Sequence, residues 1–319
     1  MHAFLFPGQG AQAIGMGKDL AENFLVSKNV FEEVNDALGQ DLSGLIWNGD
    51  IETLTLTENA QPALMATSIA AIKALEAEGI KFDQASYIAG HSLGEYSALC
   101  AAGSLSLTDT AKLLRIRGKA MQDAVPFGLG AMAAILGLDF ETVSQITNLS
   151  SDDQICQAAN DNDPGQVVIS GHKNAVDQTI ELAKDAGAKR AVLLPVSAPF
   201  HCSLMQPAAD IMAKALNDIK LEDPIVPLVA NVRANEQSNG DMIKDLLIEQ
   251  VTGSVRWRES IEFMSSKGVS EVFEIGAGLL TTAEAYSPAR YKTMRNPETG
   301  RLEQVSAEVY YDDALKNQG

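Results

Sequence analysis

Short apolar runs and longer amphipathic stretches take turns along this chain. Ala3–Phe6 is apolar and stops at Pro7-Gly8-Gln9-Gly10, which predicts a buried strand ending in a tight loop. Helical spacing follows over about 19–38 and 61–78. Ser86–Ala89 reads as a second buried strand. It runs directly into Gly90-His91-Ser92-Leu93-Gly94 and a helical stretch through Ala102, and a further helix is predicted over roughly 109–124. Strands that alternate with helices imply a parallel sheet covered by helices.

The middle of the chain changes character. Residues 130–138 read as a strand, 139–147 as a short helix, and 155–160 and 166–171 as two strands with Asn160–Gly165 as the turn between them. Residues 174–186 then read as a helix and 188–195 as a strand. That β-α-β-β-α-β order is the ferredoxin-like pattern. The outer pattern resumes with helices near 203–217, 241–251 and 257–267 and strands at 225–231 and 271–275. The expected organisation is a large α/β domain from 1–127 and 198–284, with a ferredoxin-like small domain, 128–197, inserted into it. Residues 285–319 hold four of the six tyrosines together with the breakers Pro288, Pro297 and Gly300, so a loose or surface-wrapping tail is expected there.

Composition narrows the function classes. Asp and Glu number 42 against 24 Lys and Arg, a formal net charge of −18. Nucleic acid and anionic membrane both repel such a molecule, so neither is expected as a partner. The tail from 285 carries five acidic and five basic side chains, so the whole excess lies on residues 1–284. The three cysteines, Cys100, Cys156 and Cys202, form no CxxC pair or zinc spacing, which suits a reducing cytoplasm. The opening residues lack a charged n-region, and no apolar run approaches the ~18 residues of a membrane span, so neither a signal peptide nor a spanning helix is expected.

Gly90-His91-Ser92-Leu93-Gly94 is a G-x-S-x-G between a strand and a helix, the context of an exposed serine nucleophile in an α/β-hydrolase-like fold. A serine nucleophile needs a base. Of the four histidines, His2 is near the N-terminus, His91 adjoins Ser92 with its ring expected to point elsewhere, and His172 opens a helix on an exposed turn. His201 follows a strand, and loops after parallel strands gather at the ligand-binding edge. It is therefore a candidate base for Ser92, against the alternative of a structural histidine. Arg117 falls in the middle of the apolar stripe Leu113, Leu114, Ala120, Met121 and Ala124 of its helix, whereas Lys112, Arg115, Lys119 and Gln122 read as a solvated face. A buried arginine keeps its charge and needs an anionic partner. Position leaves two readings open: an internal acidic side chain, or a substrate carboxylate held by a bidentate clamp. Cys202 beside His201 reads as a small buried side chain.

Together these pieces resemble the malonyl-CoA:acyl carrier protein transacylases of fatty acid synthesis. The resemblance rests on Phe6–Gly10, Gly90–Glu95, Arg117-Gly118-Lys119, Pro164–Gly171, Pro199-Phe200-His201 and Gln250, in this order. It implies transfer of malonyl from malonyl-CoA to the phosphopantetheine thiol of acyl carrier protein, with Ser92 as nucleophile and His201 as base. It further implies that the Gln250 main-chain carbonyl orients His201, that the Gln9 and Leu93 N–H groups form the oxyanion hole, and that Arg117 binds the malonyl carboxylate. Phe200 would crowd a methyl branch. Lys189 and Arg190, with Gln166 nearby, would supply a local basic patch for an acidic carrier. No bound cofactor is implied, coenzyme A entering as the substrate thioester, and a monomer is expected. After Gly278 the chain departs from the lysine and apolar helix with which the family usually continues. The rival readings are a thioesterase or lipase-like hydrolase and a non-catalytic carrier-binding module.

Overall fold

The computed structural model describes residues 1–149, 153–196 and 198–277, together with the backbone of two further strands. In chain order the elements are β1 (His2–Phe6), α1 (Lys18–Asn23), α2 (Leu25–Leu38), α3 (Leu42–Asn48), α4 (Ile51–Thr55), α5 (Thr57–Ala77), β2 (Tyr87–Gly90), α6 (Leu93–Ala101) and α7 (Leu107–Asp123). There follow β3 (Gly130–Leu136), α8 (Phe140–Thr147), β4 (Cys156–Asp163), β5 (Gln166–His172), α9 (Lys173–Asp185) and β6 (Arg190–Leu193). The last are α10 (Gln206–Asn217), β7 (Leu228–Ala230), β8 (Asn235–Gln237), α11 (Gly240–Gln250), α12 (Trp257–Ser266), β9 (Glu271–Glu274), β10 (Lys292–Arg295) and β11 (Leu302–Val305).

The fold is mixed α/β around a sheet of order β11-β10-β9-β1-β2-β7-β8. Its centre is parallel: β1 pairs with β2 and with β9, and β2 with β7. Helices cover both faces of this centre, which explains why β1 and β2 are apolar runs rather than alternating ones. Phe4, Phe6 and Ile88 enter a core with α2, α5 and α7. Ala3, Leu5, Tyr87 and Ala89 enter a second cluster with Trp257 and Met264 of α12. Because β1 and β2 lie side by side and parallel, the loops after Phe6 and after Gly90 leave the sheet at the same edge. Within the predicted tail, β10 and β11 pair antiparallel and β10 joins β9. The rest of that tail lies outside the described residues.

A second, antiparallel sheet has the order β4-β5-β3-β6. One face carries Ala133, Ile135, Val167 and Ile169 against Val143 of α8 and Val176 and Ile180 of α9. Met132, Ala134 and Val168 on the other face belong to the main core. The turn predicted at Asn160–Gly165 is corrected here: β4 continues through Asp163, and only Pro164-Gly165 turn. Two polar residues can stay in this buried strand because each has a partner: Asp161 takes a two-pronged contact from Arg258, and Asn162 meets His91, while the backbone around Asn160 bridges to Val255.

The helix expected over 19–38 is broken at Phe24, which is extended. Helices α3 and α4 escape the periodicity because they are short. Their caps are nonetheless written in the sequence: Asp41 accepts from Gly44 N–H and Asp50 from Thr53 N–H. Among the described residues no helix is long and apolar enough to cross a membrane.

Candidate functional site

Ser92 stands between β2 and α6 with φ 54° and ψ −110°, a strained turn for a residue with a side chain. The flanking glycines make room for that turn. A Cβ at Gly90 would lie 1.9 Å from the Gly94 carbonyl carbon, and one at Gly94 would lie 2.2 Å from the Phe6 oxygen. The turn is thereby pressed onto the end of β1. Asn231, just after β7, holds it from the side, accepting from Ser92 N–H at 2.8 Å and donating to the Gly90 carbonyl at 2.7 Å. Leu93 opens α6, so its N–H has no partner within the helix. Gln9 lies in the loop after β1 and lines the same cavity as Ser92 and Leu93.

His201 is 4% exposed and places Nε2 2.7 Å from Ser92 Oγ. Its Nδ1 is 2.9 Å from the main-chain oxygen of Gln250. A carbonyl only accepts, so Nδ1 carries the proton and Nε2 is left to receive the serine hydroxyl. Burial, aided by the Arg117 charge, pushes the imidazole down to about 3, so the ring is neutral near pH 7.

Arg117 points inward as its place in the apolar stripe predicts, and is 1% exposed. Its Nη1 donates to Gln61 Oε1 at 2.9 Å, and its Nη2 to Gln250 Oε1 at 2.8 Å and Ser92 Oγ at 3.1 Å. The guanidinium lies over the Tyr96 ring, 5.6 Å from its centroid. Among the described residues Nε has no hydrogen-bond partner, and no carboxylate bonds the group directly. Of the two readings left open for Arg117, a direct internal ion pair is not what the described residues hold: the acceptors are two neutral amides and the Ser92 hydroxyl. Arg115 is not simply solvated. It is half-buried, and donates to Asn59 Oδ1 and Gln40 Oε1.

These groups meet in one cavity of about 360 Å³. Ser92, His201, Arg117, Gln9 and Leu93 line it, together with the apolar side chains of Met132, Ala134, Val168 and Val192 of the second sheet and of Leu194 just beyond β6. Phe200 also lines it. So do Arg190 and Gln166, the latter buried with its Oε1 unpartnered among the described residues. Lys189 is exposed and is not part of the lining; its stem lies over Gly137. His91 turns away from the serine hydroxyl, its Nε2 donating to Asn162 Oδ1 at 2.9 Å. Cys202 is fully buried, its thiol donating to the Pro199 carbonyl. Among the described residues no group of three His, Cys, Asp or Glu could hold a metal ion. Gln61, Asn231 and the side chain of Gln250 were not foreseen in these places. Amides carry no pattern of their own, and only the packing of α5, β7 and α11 around Ser92 brings them together.

The family model described as "Acyl transferase domain" matches residues 3–290. The chain is 50% identical over 304 residues to the malonyl CoA-acyl carrier protein transacylase of Bacillus subtilis, covering 94% of this chain and 95% of that protein. An acyl-carrier-protein-S-malonyltransferase from Bartonella henselae is 56% identical with a TM-score of 0.86, covering 89% of this chain and 91% of the other. A malonyl-transacylase solved with its type II PKS acyl-carrier protein is 44% identical with a TM-score of 0.84, over 87% and 89% of the two chains. A strained serine, its neutral histidine and an unpaired buried arginine thus sit in a chain that belongs to the acyl transferase family, among the malonyl-CoA:acyl carrier protein transacylases.

Proposed function

We propose that this protein transfers the malonyl group from malonyl-CoA to the pantetheine thiol of an acyl carrier protein, through a malonyl ester on Ser92, and so feeds fatty acid synthesis. The observation that carries the reading is the Arg117 guanidinium 3.1 Å from Ser92 Oγ, deeply buried yet bonded only to neutral groups. A nucleophile beside a buried cation with no carboxylate bonded to it suits an acyl group that ends in a free carboxylate. A neutral acyl chain would leave that charge desolvated and unpaired, which argues against a general thioesterase or lipase. An intact Ser92–His201 pair argues against a carrier-binding module without catalysis.

In the first half-reaction the Ser92 proton passes to His201 Nε2 as Oγ attacks the thioester carbon. The tetrahedral oxyanion is held by the N–H groups of Gln9 and Leu93, each such donor worth ~10²-fold or more. The Gln250 carbonyl stabilises the imidazolium in the place of a triad carboxylate. The C–S bond then breaks, the coenzyme A sulfur takes the proton from Nε2, and malonyl-Ser92 remains. In the second half-reaction the carrier's thiol gives its proton to Nε2 and its sulfur attacks the ester carbon. Ser92 Oγ leaves and regains the proton. Arg117, which lines the cavity beside Ser92, binds the malonyl carboxylate throughout. Phe200 crowds a branched acyl group, although one methyl is worth only ~1–3 kcal/mol. Arg190 at the cavity and Lys189 outside it, with neutral Gln166 nearby, form the basic exception at which an acidic enzyme receives an acidic carrier and coenzyme A.

The same reading covers the architecture. Residues 128–197 form an inserted ferredoxin-like domain, supported by the strand order β4-β5-β3-β6 with α8 and α9 on one face. Residues 1–127 and 198–284 form an α/β-hydrolase-like catalytic domain, and 285–319 a divergent tail. The protein acts in the cytoplasm, where free Cys100, Cys156 and Cys202 stay reduced. It acts as a monomer, one chain carrying nucleophile, base and arginine, and without a bound cofactor. Incubation with malonyl-CoA alone should leave a malonyl mass on Ser92 in intact-protein mass spectrometry. No adduct, or one that survives Ser92→Ala, overturns the proposal. Comparing transfer with hydrolysis when carrier protein is added separates it from a hydrolase.

A further inference from the structure

The chemistry above gives no task to a buried carboxylate that stands close to Ser92. Glu95 lies one turn beyond Ser92 in α6 and is 1% exposed. Among the described residues no lysine or arginine forms an ion pair with it. Its Oε1 accepts the Asn231 N–H at 3.2 Å, and its Oε2 accepts a short hydrogen bond from Gln250 Nε2. The same Nε2 donates to the Ser92 main-chain carbonyl at 2.9 Å, while Oε1 at the other end of the amide accepts from Arg117.

The amide of Gln250 is therefore oriented from both ends. Turned over, its oxygen would face the Glu95 carboxylate and the Ser92 carbonyl, two acceptors, and its NH₂ would face the guanidinium, a donor. All of these contacts would be repulsive in a buried site, where an unmade polar contact is expensive. We infer that Glu95 is a positioning residue for Arg117: its carboxylate holds the Gln250 amide in the orientation that seats the guanidinium, and so sets the discrimination between acyl groups with and without a free carboxylate.

The charge state of Glu95 then matters. The charged or titratable groups acting on it are Arg117 from α7 and Tyr96 of its own helix, while Gln250 of α11 and Asn231 after β7 meet it as neutral partners. Burial pushes its carboxyl up to about 7, against the opposing pull of Gln250, Asn231 and Arg117. Once protonated, Glu95 can donate to a turned-over Gln250 oxygen, and the wrong orientation is no longer excluded. Discrimination is therefore strongest above about 7 and weakens as the pH falls through that value.

The inference rests on malonyl transfer as the activity. The experiment measures single-turnover acylation of Ser92 by malonyl-CoA and by acetyl-CoA at pH 6 and pH 8, and takes the ratio of rate constants. Effects of His201 and of the coenzyme A phosphates are common to both substrates and cancel. In the wild type the malonyl-to-acetyl ratio should be higher at pH 8. Glu95→Gln should lower it by about tenfold, the scale of one hydrogen bond to a charged group, and remove its pH dependence. Gln250→Leu, which keeps the main-chain carbonyl, should lower it likewise, and the double variant should lose no more than either single one. Equal losses for both acyl groups, additive losses in the double variant, or a wild-type ratio that does not change with pH would each overturn the inference. If Glu95→Gln does not fold, the wild-type ratio and Gln250→Leu still decide it. A wild type that forms no malonyl adduct would overturn the activity itself, a separate outcome.

Discussion

Replacing Arg117 with alanine tests the link between burial and substrate choice. In the wild type the guanidinium is anchored by Gln61 and Gln250, touches Ser92 Oγ and keeps Nε free. For malonyl-CoA, on the proposed reading, the variant loses the buried cation that pairs with the acyl carboxylate. Truncating one partner of a buried charge pair costs about 3–4 kcal/mol, or roughly 10²–10³-fold in rate. For acetyl-CoA only the Nη2 contact to Ser92 Oγ is lost, about 1 kcal/mol and less than about tenfold. The malonyl-to-acetyl ratio should therefore fall by about a hundredfold. The quantity to measure is the rate of Ser92 acylation by each thioester, from quenched samples weighed as intact protein. Loss of packing affects both substrates and leaves the ratio alone. A second sign accompanies the first. Arg117 helps to depress His201, so its removal should lift the imidazole toward its ordinary range and move the acid limb of acetyl transfer upward. If both substrates lose activity equally, Arg117 is a structural residue and the carboxylate argument fails.

Further outcomes follow from the same geometry. Because His201 is held down to about 3, acylation by acetyl-CoA should stay level from pH 8 to pH 5, and an acid limb near 6.5 would mean a solvated ring. The same depression makes the folded state bind fewer protons than the unfolded one between about 3 and 6.5, so this group's contribution to stability is lost as the pH falls through that window in a denaturation series. Arg258→Ala leaves buried Asp161 without its two-pronged partner and should cost about 3 kcal/mol in urea unfolding, because a lone buried charge is not compensated; an unchanged midpoint would count against that ion pair. Reversing the charge of Lys189 and Arg190 together should slow transfer from malonyl-Ser92 to carrier protein and spare acylation by malonyl-CoA. If both half-reactions slow alike, the patch serves coenzyme A too.

Much of the site was legible because its chemistry has a local signature. A strand that stops in G-x-S-x-G announces a serine on a sharp turn, and the closeness of Gly90 to Gly94, and of Gly94 to Phe6, explains the glycines. An arginine in the middle of an apolar stripe announces its own burial. The stretch Asn160–Asp163 misled for the opposite reason. Its polar residues look like a turn until Arg258 and His91 are present to satisfy Asp161 and Asn162 and Val255 pairs with the backbone. Arg115 likewise lies on a face that reads as solvated, and only the approach of Gln40 and Asn59 half-buries it.

Taken by itself, the sequence determined the alternation of buried strands and covering helices, the serine on its sharp turn, and the inward cation. These follow from side-chain period and from the residue types a tight turn tolerates. Tertiary structure alone decided which groups answer that cation. Arg117 needs an acceptor, and periodicity cannot say whether the acceptor is a carboxylate or an amide. The packing of α5, α7 and α11 around one serine supplies two glutamine oxygens and holds Glu95 one amide away. Neutral acceptors hold the guanidinium with no carboxylate bonded to it, and on the proposed reading that leaves it able to pair with an acyl group that carries its own carboxylate.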